Sequence, residues 1–104
     1  MRYVLLVYED EVAAAALAPV RRAFAAALSA AGVLRGQAAL KSPDTATTLR
    51  RGSALHDGPH DETGEPLAGL YLIEARDLDT ALAWARRLPL GDGAVEVRPL
   101  AEAA

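Results

Sequence analysis

The amino-acid sequence predicts an α+β domain of the ferredoxin-like, split β-α-β kind, in which an antiparallel sheet carries two helices on one face. Three observations support this prediction. Strand-like and helix-like segments follow one another in the order β-α-β-β-β-α-β. Two of the strand-like segments, Arg2–Tyr8 and Leu67–Glu74, are apolar on both faces, as strands covered on both sides are. The length of 104 residues suits one domain, predicted over residues 1–99 with a frayed tail at 100–104.

The first half of the chain is predicted to contain a strand and a helix. Arg2–Tyr8 is rich in aromatic and β-branched residues and ends at three acids. Glu9–Ala18 is rich in alanine and predicts a short helix or helical turn. Pro19 suits the first turn of a new helix, where its missing N–H costs nothing, and this second helix is expected to run to Ala31. Gly32 follows as a C-terminal cap.

The middle of the chain is predicted to hold short strands. Val33–Leu40 is an extended segment, and Ser42–Asp44 is a turn. Thr45–Arg50 and Ser53–His56 are expected to form a hairpin around the Arg51-Gly52 turn.

The last third repeats the pattern of strand, helix and strand. Leu67–Glu74 is the strand, and Asp77 is a good N-cap for a helix that is expected to reach Leu88 and to stop at Pro89. Ala94–Arg98 alternates apolar and charged residues as a final strand does.

Two helices cover only one face of such a sheet, yet the strands Arg2–Tyr8 and Leu67–Glu74 are apolar on both. No further segment remains to cover the second face. A second copy of the chain is the simplest cover, because most soluble oligomers are symmetric homo-oligomers. The sequence therefore predicts a homodimer.

Composition excludes several classes of partner. The net charge of −3 and the pI near 5.3 argue against direct nucleic-acid binding, which would show as a basic excess. The arginine pairs, Arg21-Arg22 among them, are interpreted as solvated. No apolar run approaches a membrane span, and the N-terminus turns acidic too early for a signal peptide, so no membrane partner is expected. The absence of cysteine fits a reducing cytoplasm.

The candidate functional residues concentrate in Leu55–Pro66, which holds both histidines and four of the fourteen acidic residues. A histidine beside carboxylates is the minimal general acid–base pair, so His60 with Asp57 or Asp61 is the predicted catalytic set. His56 and Tyr8 are candidate ligand-binding residues. A structural interpretation stands beside each: Asp57-Gly58-Pro59 as a turn, the histidines as solvated, and Tyr8 as a core residue. No metal-ligand spacing or cofactor fingerprint is present, so neither a metal nor a cofactor is expected.

Several motifs resemble the YCII-related family, in its DGPF-domain type, along nearly the whole chain. They are the opening Met1–Tyr8, the junction Ala31–Leu34, the central Asp57–Thr63, then Gly69–Ile73, Asp77–Asp79, Ala81–Ala85 and Val95–Pro99. The resemblance implies a ferredoxin-like subunit that pairs into a dimeric α+β barrel. It also implies a largely unassigned function, with some members associated with extracytoplasmic-function sigma factors.

The sequence departs from the family pattern in places that bear on function. His60 stands where many members have Phe, and Gly64 where a Lys usually precedes the position of Glu65. The hairpin before the central motif, Arg51–Leu55, is shortened. Some relatives have a proposed histidine–aspartate dyad at the first helix, but Pro19–Arg22 contains no histidine, so the dyad does not carry over.

Two functional hypotheses follow. The first is a cofactor-free enzyme or binder of a small polar organic ligand, such as an organic acid, with isomerase-like or lyase-like proton transfer at Leu55–Pro66. The ligand is expected to enter between the helices and the sheet or at the mouth of the barrel, with the His60 loop at the rim. Fold analogy carries much of the choice of reaction. The second is a non-catalytic interaction or regulatory module, linked through the resemblance to sigma-factor-dependent transcription.

Overall fold

A computed structural model describes residues 1–52, 55–59 and 64–101 of the chain. Among these residues four strands lie between the two helices, one more than in the predicted order β-α-β-β-β-α-β. The helices and strands are β1 (Arg2–Tyr8), α1 (Glu11–Ala30), β2 (Leu34–Ala39), β3 (Thr47–Leu49), β4 (Leu55–Asp57), β5 (Leu67–Glu74), α2 (Leu78–Ala85) and β6 (Ala94–Pro99).

The main sheet has the strand order β2-β5-β1-β6, and all of its neighbouring strands are antiparallel. β1 lies at the centre, where Leu5 is opposite Tyr71 of β5 on one side and Val97 of β6 on the other. Strands β3 and β4 form a separate hairpin. Each helix thus connects two parallel strands that have another strand between them, which confirms the predicted α+β, ferredoxin-like plan.

One side of the sheet, the covered face, carries the helices and the core. Its β1 and β5 residues are Tyr3, Leu5, Val7, Tyr71 and Ile73, all at most 8% exposed. The helices contribute Phe24, Leu28, Ala81 and Ala85 to the same buried cluster. The aromatic rings of Phe24 and Tyr71 meet edge to face with their centroids 5.2 Å apart, an arrangement that aromatic pairs favour.

The other side of the sheet, the open face, carries Val4, Leu6 and Tyr8 of β1 with Leu70 and Leu72 of β5. Cross-strand pairing places Val4 opposite Leu72 and Leu6 opposite Leu70. Leu6, Tyr8, Leu70 and Leu72 are all partly exposed. Both helices of the described chain pack on the covered face, so the open face has no helix over it.

Helix α1 corrects the prediction of two helical segments that meet at Pro19. The helix is continuous from Glu11 to Ala30, with Pro19 exposed inside it. It begins where the Asp10 carboxylate accepts a hydrogen bond from the Ala13 N–H at 2.8 Å. The alanines that flank Pro19 have high helix propensity, and they keep the chain helical although the proline removes one backbone hydrogen bond.

The end of α1 agrees with its prediction. Gly32 has a positive φ of 74°, its N–H donates to the Ser29 carbonyl, and the Val33 N–H donates to the Leu28 carbonyl. This pair of bonds is the Schellman arrangement, which satisfies the last carbonyls of the helix.

Helix α1 also reaches the length and apolar composition of a membrane span, contrary to the expectation that no segment approaches one. This is weak support for a membrane segment, because the core helix of a globular domain passes the same test. In this fold α1 places Phe24 and Leu28 in the core and carries Arg21 and Arg22 at mid-length.

Helix α2 begins as predicted, since the Asp77 carboxylate accepts bonds from the Thr80 N–H at 2.8 Å and the Thr80 hydroxyl at 2.7 Å. It ends at Ala85, three residues before the predicted Leu88. The Leu88 N–H instead donates to the Ala85 carbonyl in a tighter turn. Pro89 disfavours helical backbone at Leu88 alone, and the turn has already tightened one residue earlier, where the Arg87 N–H donates to the Trp84 carbonyl.

Candidate functional site

A cleft of about 1070 Å³ lies where β1 ends and the β3–β4 hairpin meets the main sheet. We call it the loop cleft. Four parts of the chain line it: Tyr8, Leu40–Ala46, Asp57–Pro59 and Gly64–Leu67. Its volume is at the upper end of the range for small-molecule sites. Pro59 and Gly64, the described residues on either side of positions 60–63, both lie on its wall.

The Asp57-Gly58-Pro59 segment is held against the hairpin by backbone hydrogen bonds. Gly58 is buried and has a φ of 110°, a conformation that favours glycine. Its N–H donates to the Ala46 carbonyl at 2.7 Å, and its carbonyl accepts from the Thr48 hydroxyl at 2.8 Å. Asp57 is exposed at the end of β4. These contacts give Gly58 the turn-forming role that the sequence predicted for it.

The remaining predicted site residues divide into two groups. His56 lies on β4, where its backbone pairs with Thr48. His60 and Asp61 lie outside the described residues. The structure therefore brings Asp57 and Tyr8 to one cleft, while the predicted pairing of His60 with a carboxylate stays a prediction.

Tyr8 is the start of a polar chain along the open face. Its hydroxyl donates to Oε1 of Glu96 at 3.1 Å, and Oε2 of Glu96 accepts from Nε of Arg98 at 3.1 Å. Partial burial and, second to it, the bond to Glu96 raise the pKa of Tyr8 above its usual value of 10.0. The hydrogen bond from Arg98, followed by the one from Tyr8, holds the pKa of Glu96 below its usual 4.5. At neutral pH Tyr8 is therefore a neutral phenol, and its oxygen remains free to accept a further hydrogen bond.

The charged side chains that line the loop cleft are mostly acidic. Asp44, Asp57 and Glu65 carry carboxylates, and Lys41 carries an ammonium group; all four residues are exposed. Nearby charges of one sign favour ligands of the opposite sign or of none. The described lining residues therefore give the loop cleft a net negative charge.

A buried ion pair of Glu9 and Arg21 lies beyond the end of β1 on the covered face. Glu9 is 1% exposed, and both of its carboxylate oxygens accept from Arg21. The Arg21 guanidinium also donates to the Pro89 carbonyl, at 3.1 Å from Nε and 2.8 Å from Nη2. The interpretation of Arg21 as a solvated arginine is therefore wrong.

A sequence signal for this pair exists in the alternation of β1. Tyr3, Leu5, Val7 and Glu9 share one parity, so Glu9 falls on the covered face. A carboxylate at such a position requires a cationic partner. The pair holds β1, α1 and the segment after α2 together.

No cluster of three or more potential metal ligands from His, Cys, Asp and Glu occurs within residues 1–52, 55–59 and 64–101.

The topology and the cleft define a ferredoxin-like α+β domain whose candidate ligand site lies at the junction of the hairpin and the sheet. Residues 1–104 match the YCII-related domain family, and the chain belongs to that family. A curated relative, an uncharacterized protein of Rhizobium meliloti, is 37% identical over 119 aligned residues that cover 97% of this chain and 93% of the relative. The alignment is longer than this chain, so the relative carries additional residues within the matched region.

Proposed function

We propose that this protein binds a small, neutral, hydroxyl-bearing carbonyl compound in the loop cleft and transfers a proton at the carbon next to its carbonyl group. The observation that carries the proposal is the convergence of Tyr8, Lys41 and Asp57 on one cleft beside the predicted catalytic stretch. Pockets with a few convergent polar groups are the usual sites of small-molecule binding.

Each polar group has a role in this proposal. The Tyr8 oxygen, whose proton is directed to Glu96, accepts a hydrogen bond from the ligand hydroxyl. The Lys41 ammonium donates to the carbonyl oxygen and stabilises the negative charge that develops there. His60, which directly follows the lining residue Pro59 in the chain, takes the proton from carbon and returns it, oriented by Asp57 or Asp61. No cofactor takes part in this scheme.

Deuterium exchange tests the reaction without knowledge of the product. Neutral hydroxyketones such as acetoin and dihydroxyacetone are incubated with the protein in D₂O, and loss of the C–H signal is followed by proton NMR. Binding is checked by thermal shift, since a ligand that binds the folded state raises the melting temperature. Lactate and pyruvate serve as acidic comparators. We expect stabilisation and exchange with the hydroxyketones and weaker effects with the acids.

Two histidine variants separate the catalytic residue from its neighbour. His60→Phe is expected to fold, because Phe is the common residue at this position of the family it resembles, and to lose exchange. His56→Phe is the matched control and is expected to retain it. Exchange that survives His60→Phe undiminished excludes His60 as the base. If no hydroxyketone stabilises the protein or exchanges its proton, the result favours the interaction-module hypothesis. Separate support for that hypothesis comes from Val12 and Val20 of α1, which are apolar and exposed.

We also propose that two copies of the chain pair through the open face, as in a dimeric α+β barrel. Support comes from the partly exposed leucines Leu6, Leu70 and Leu72 at the centre of that face. Light scattering at micromolar concentration is expected to give the mass of a dimer. Leu70 lies on the open face, so Leu70→Lys is expected to give a folded monomer. Leu49→Lys, at an exposed hairpin position (72% exposed), is the control and is expected to remain dimeric. A monomeric wild type contradicts the proposal.

Two finer assignments accompany these proposals. The Asp57-Gly58-Pro59-His60 motif supports placement in the DGPF-type branch of the family. The absence of cysteine supports action in the cytoplasm. Fractionation of cells that express the tagged protein tests the location, and recovery in another compartment contradicts it.

A further inference from the structure

A second cleft, separate in lining from the loop cleft except for Leu40, lies between α1 and strands β2 and β5. We call it the helix groove. Its volume is about 550 Å³, within the range of small-molecule sites. The groove is open to solvent along exposed residues such as Arg22, Gln37 and Ala39, so a ligand can enter it from the surface.

The side chains of α1 explain why the groove exists. The helix presents Ala14, Ala18, Ala25 and Ala26 to it, and alanine is too short to reach the sheet. The buried residues of α1, Phe24 and Leu28, both lie in its C-terminal half. The sheet side of the groove is also built from small residues, which include Ala38, Ala39, Ala68 and Gly69. The walls are therefore apolar and shallow.

Polar groups lie at the middle of this apolar groove. Arg21 and Arg22 are the charged residues that line it, and among the described residues no Asp or Glu does. Glu9 lies behind Arg21 and neutralises it, so the exposed Arg22 gives the groove a net positive charge. This charge is opposite to that of the loop cleft and to that of the whole chain.

Tyr71 gives the groove a polar group, a hydroxyl whose oxygen is not itself buried. Tyr71 is 8% exposed and lines the groove, and its ring is held against Phe24. Within the described part of the chain its hydroxyl has no hydrogen-bond partner. Burial is the main cause that raises the pKa of Tyr71 above 10.0, with Arg21 acting to lower it and Glu9 to raise it. The hydroxyl is therefore a neutral donor close enough to Arg21 to interact with its charge, and Arg22 lines the same groove.

From this arrangement we infer that the helix groove binds an amphipathic monocarboxylate. Its apolar body lies along the alanines, and its carboxylate accepts hydrogen bonds from Tyr71 and Arg22. A guanidinium group matches a carboxylate in charge, and its planar N–H groups can donate two parallel hydrogen bonds to the two carboxylate oxygens. The ligand satisfies the Tyr71 hydroxyl and fills the space that α1 leaves. This inference goes beyond the function proposed for the loop cleft and does not depend on it.

Titration calorimetry and thermal shift on the full chain test the inference with octanoate and phenylacetate as linear and aromatic probes. Octan-1-ol, which has the same chain without the charge, is the comparator for octanoate. We expect saturable binding of at least one carboxylate and at least tenfold weaker binding of the alcohol. Tyr71→Phe keeps the ring and loses the hydroxyl, and should weaken carboxylate binding about fivefold to tenfold.

A matched pair of helix variants separates the groove from unspecific binding to exposed apolar surface. Ala18→Leu fills the groove, whereas Ala16→Leu adds the same side chain at an exposed position that does not line it. Leucine has a high helix propensity, so both variants are expected to fold. Ala18→Leu should abolish carboxylate binding, and Ala16→Leu should leave it unchanged. Equal binding by these two variants, or no carboxylate binding by the wild type, overturns the inference. The variant Asp57→Asn in the loop cleft should bind octanoate as the wild type does.

Discussion

The covered and open faces of the main sheet are built from the same strands, yet they exclude water to different degrees. Leu5 and Ile73 on the covered face are 0% exposed. Leu6 and Leu72, their immediate neighbours in the chain, are partly exposed on the open face. Alternation along a strand gives each face its own residues, so a single strand can serve a closed core on one side and an accessible surface on the other. The difference separates residues that hold the fold from residues that are available for function.

The two faces also differ in how far their charged side chains are buried. Glu9, at the edge of the covered face, is buried and bound on both oxygens by Arg21. Glu96, on the open face, is partly exposed and bonded to Tyr8 and Arg98. Buried charges are costly unless fully paired, whereas exposed ones interact with water as well. Removal of a partner should therefore be severe on the first face and mild on the second.

The largest effect is expected from Arg21→Ala, which leaves the Glu9 carboxylate buried without its partner. Loss of one member of a buried pair costs roughly 3–5 kcal/mol of unfolding free energy, measurable by urea denaturation. Arg35→Ala is the control, because the Arg35 guanidinium lies 3.9 Å from an exposed carboxylate of Glu74. The control should leave the denaturation midpoint unchanged. Equal midpoints for both variants would show that Glu9 reaches water in solution.

A smaller difference is expected between neighbours on opposite faces. Ile73→Ala opens a cavity in the core and should cost about 2–5 kcal/mol at any protein concentration. Leu72→Ala should cost less, and in the proposed dimer its effect should shrink as the protein is diluted and the wild type also dissociates. Urea curves at two protein concentrations distinguish the cases. Losses that are equal and independent of concentration contradict the dimer through the open face.

Gly58→Ala tests the turn at the loop cleft. Alanine at a φ of 110° is strained, so the variant should lose on the order of 1 kcal/mol or more. Gly91→Ala is the control, since nothing lies within 4 Å of its added methyl group and its φ is not in the positive range. The control should be neutral or slightly stabilising. A neutral Gly58→Ala would show that this segment adopts another backbone conformation in solution.

The smallest effect is expected on the loss of stability in acid, through the carboxylate of Glu96. The pKa of Glu96 is lower in the folded state than its usual 4.5, so the folded state binds fewer protons than the unfolded state. The stability that the Glu96 carboxylate contributes is fully present above its usual pKa of 4.5 and is lost as the pH falls through its lower pKa in the folded state. Glu96→Gln should be less sensitive to acid than the wild type in thermal melts between neutral pH and about pH 3. Identical slopes would mean that the bonds from Arg98 and Tyr8 to Glu96 do not persist in solution.

Local patterns were sufficient to predict most of the fold. The apolar run of β1, the N-cap at Asp77 and the C-cap at Gly32 depend on residues close in sequence, and all three occur in the structure. The prediction of a break at Pro19 was wrong because the propensity of the surrounding alanines outweighs the loss of one hydrogen bond. The end of α2 was misplaced because the chain tightens after Ala85 into bonds between residues three apart, and the apolar stripe that continues to Leu88 does not reveal this change.

The sites were less predictable, because they join distant parts of the chain. The sequence placed Asp57 and Tyr8 among its candidates, and both line the loop cleft. It did not reveal the contact of Arg21 with Pro89, which are 68 residues apart. Ligand entry between the helices and the sheet was one of the predicted routes, but the sequence did not identify which residues of α1 line the helix groove, since alanines at helical spacing predict a packed helix as well as one that stands away from its sheet.

The central position of β1 has a consequence for synthesis of the chain. Its pairing partners β5 and β6 are the last strands in the sequence. At roughly 5–20 residues per second on the ribosome, on the order of ten seconds pass between the synthesis of β1 and the synthesis of both β5 and β6. Throughout that interval a segment that is apolar on both sides is exposed to other nascent chains. The run Glu9-Asp10-Glu11 follows it directly, and charges that flank an aggregation-prone strand act as gatekeepers against such association.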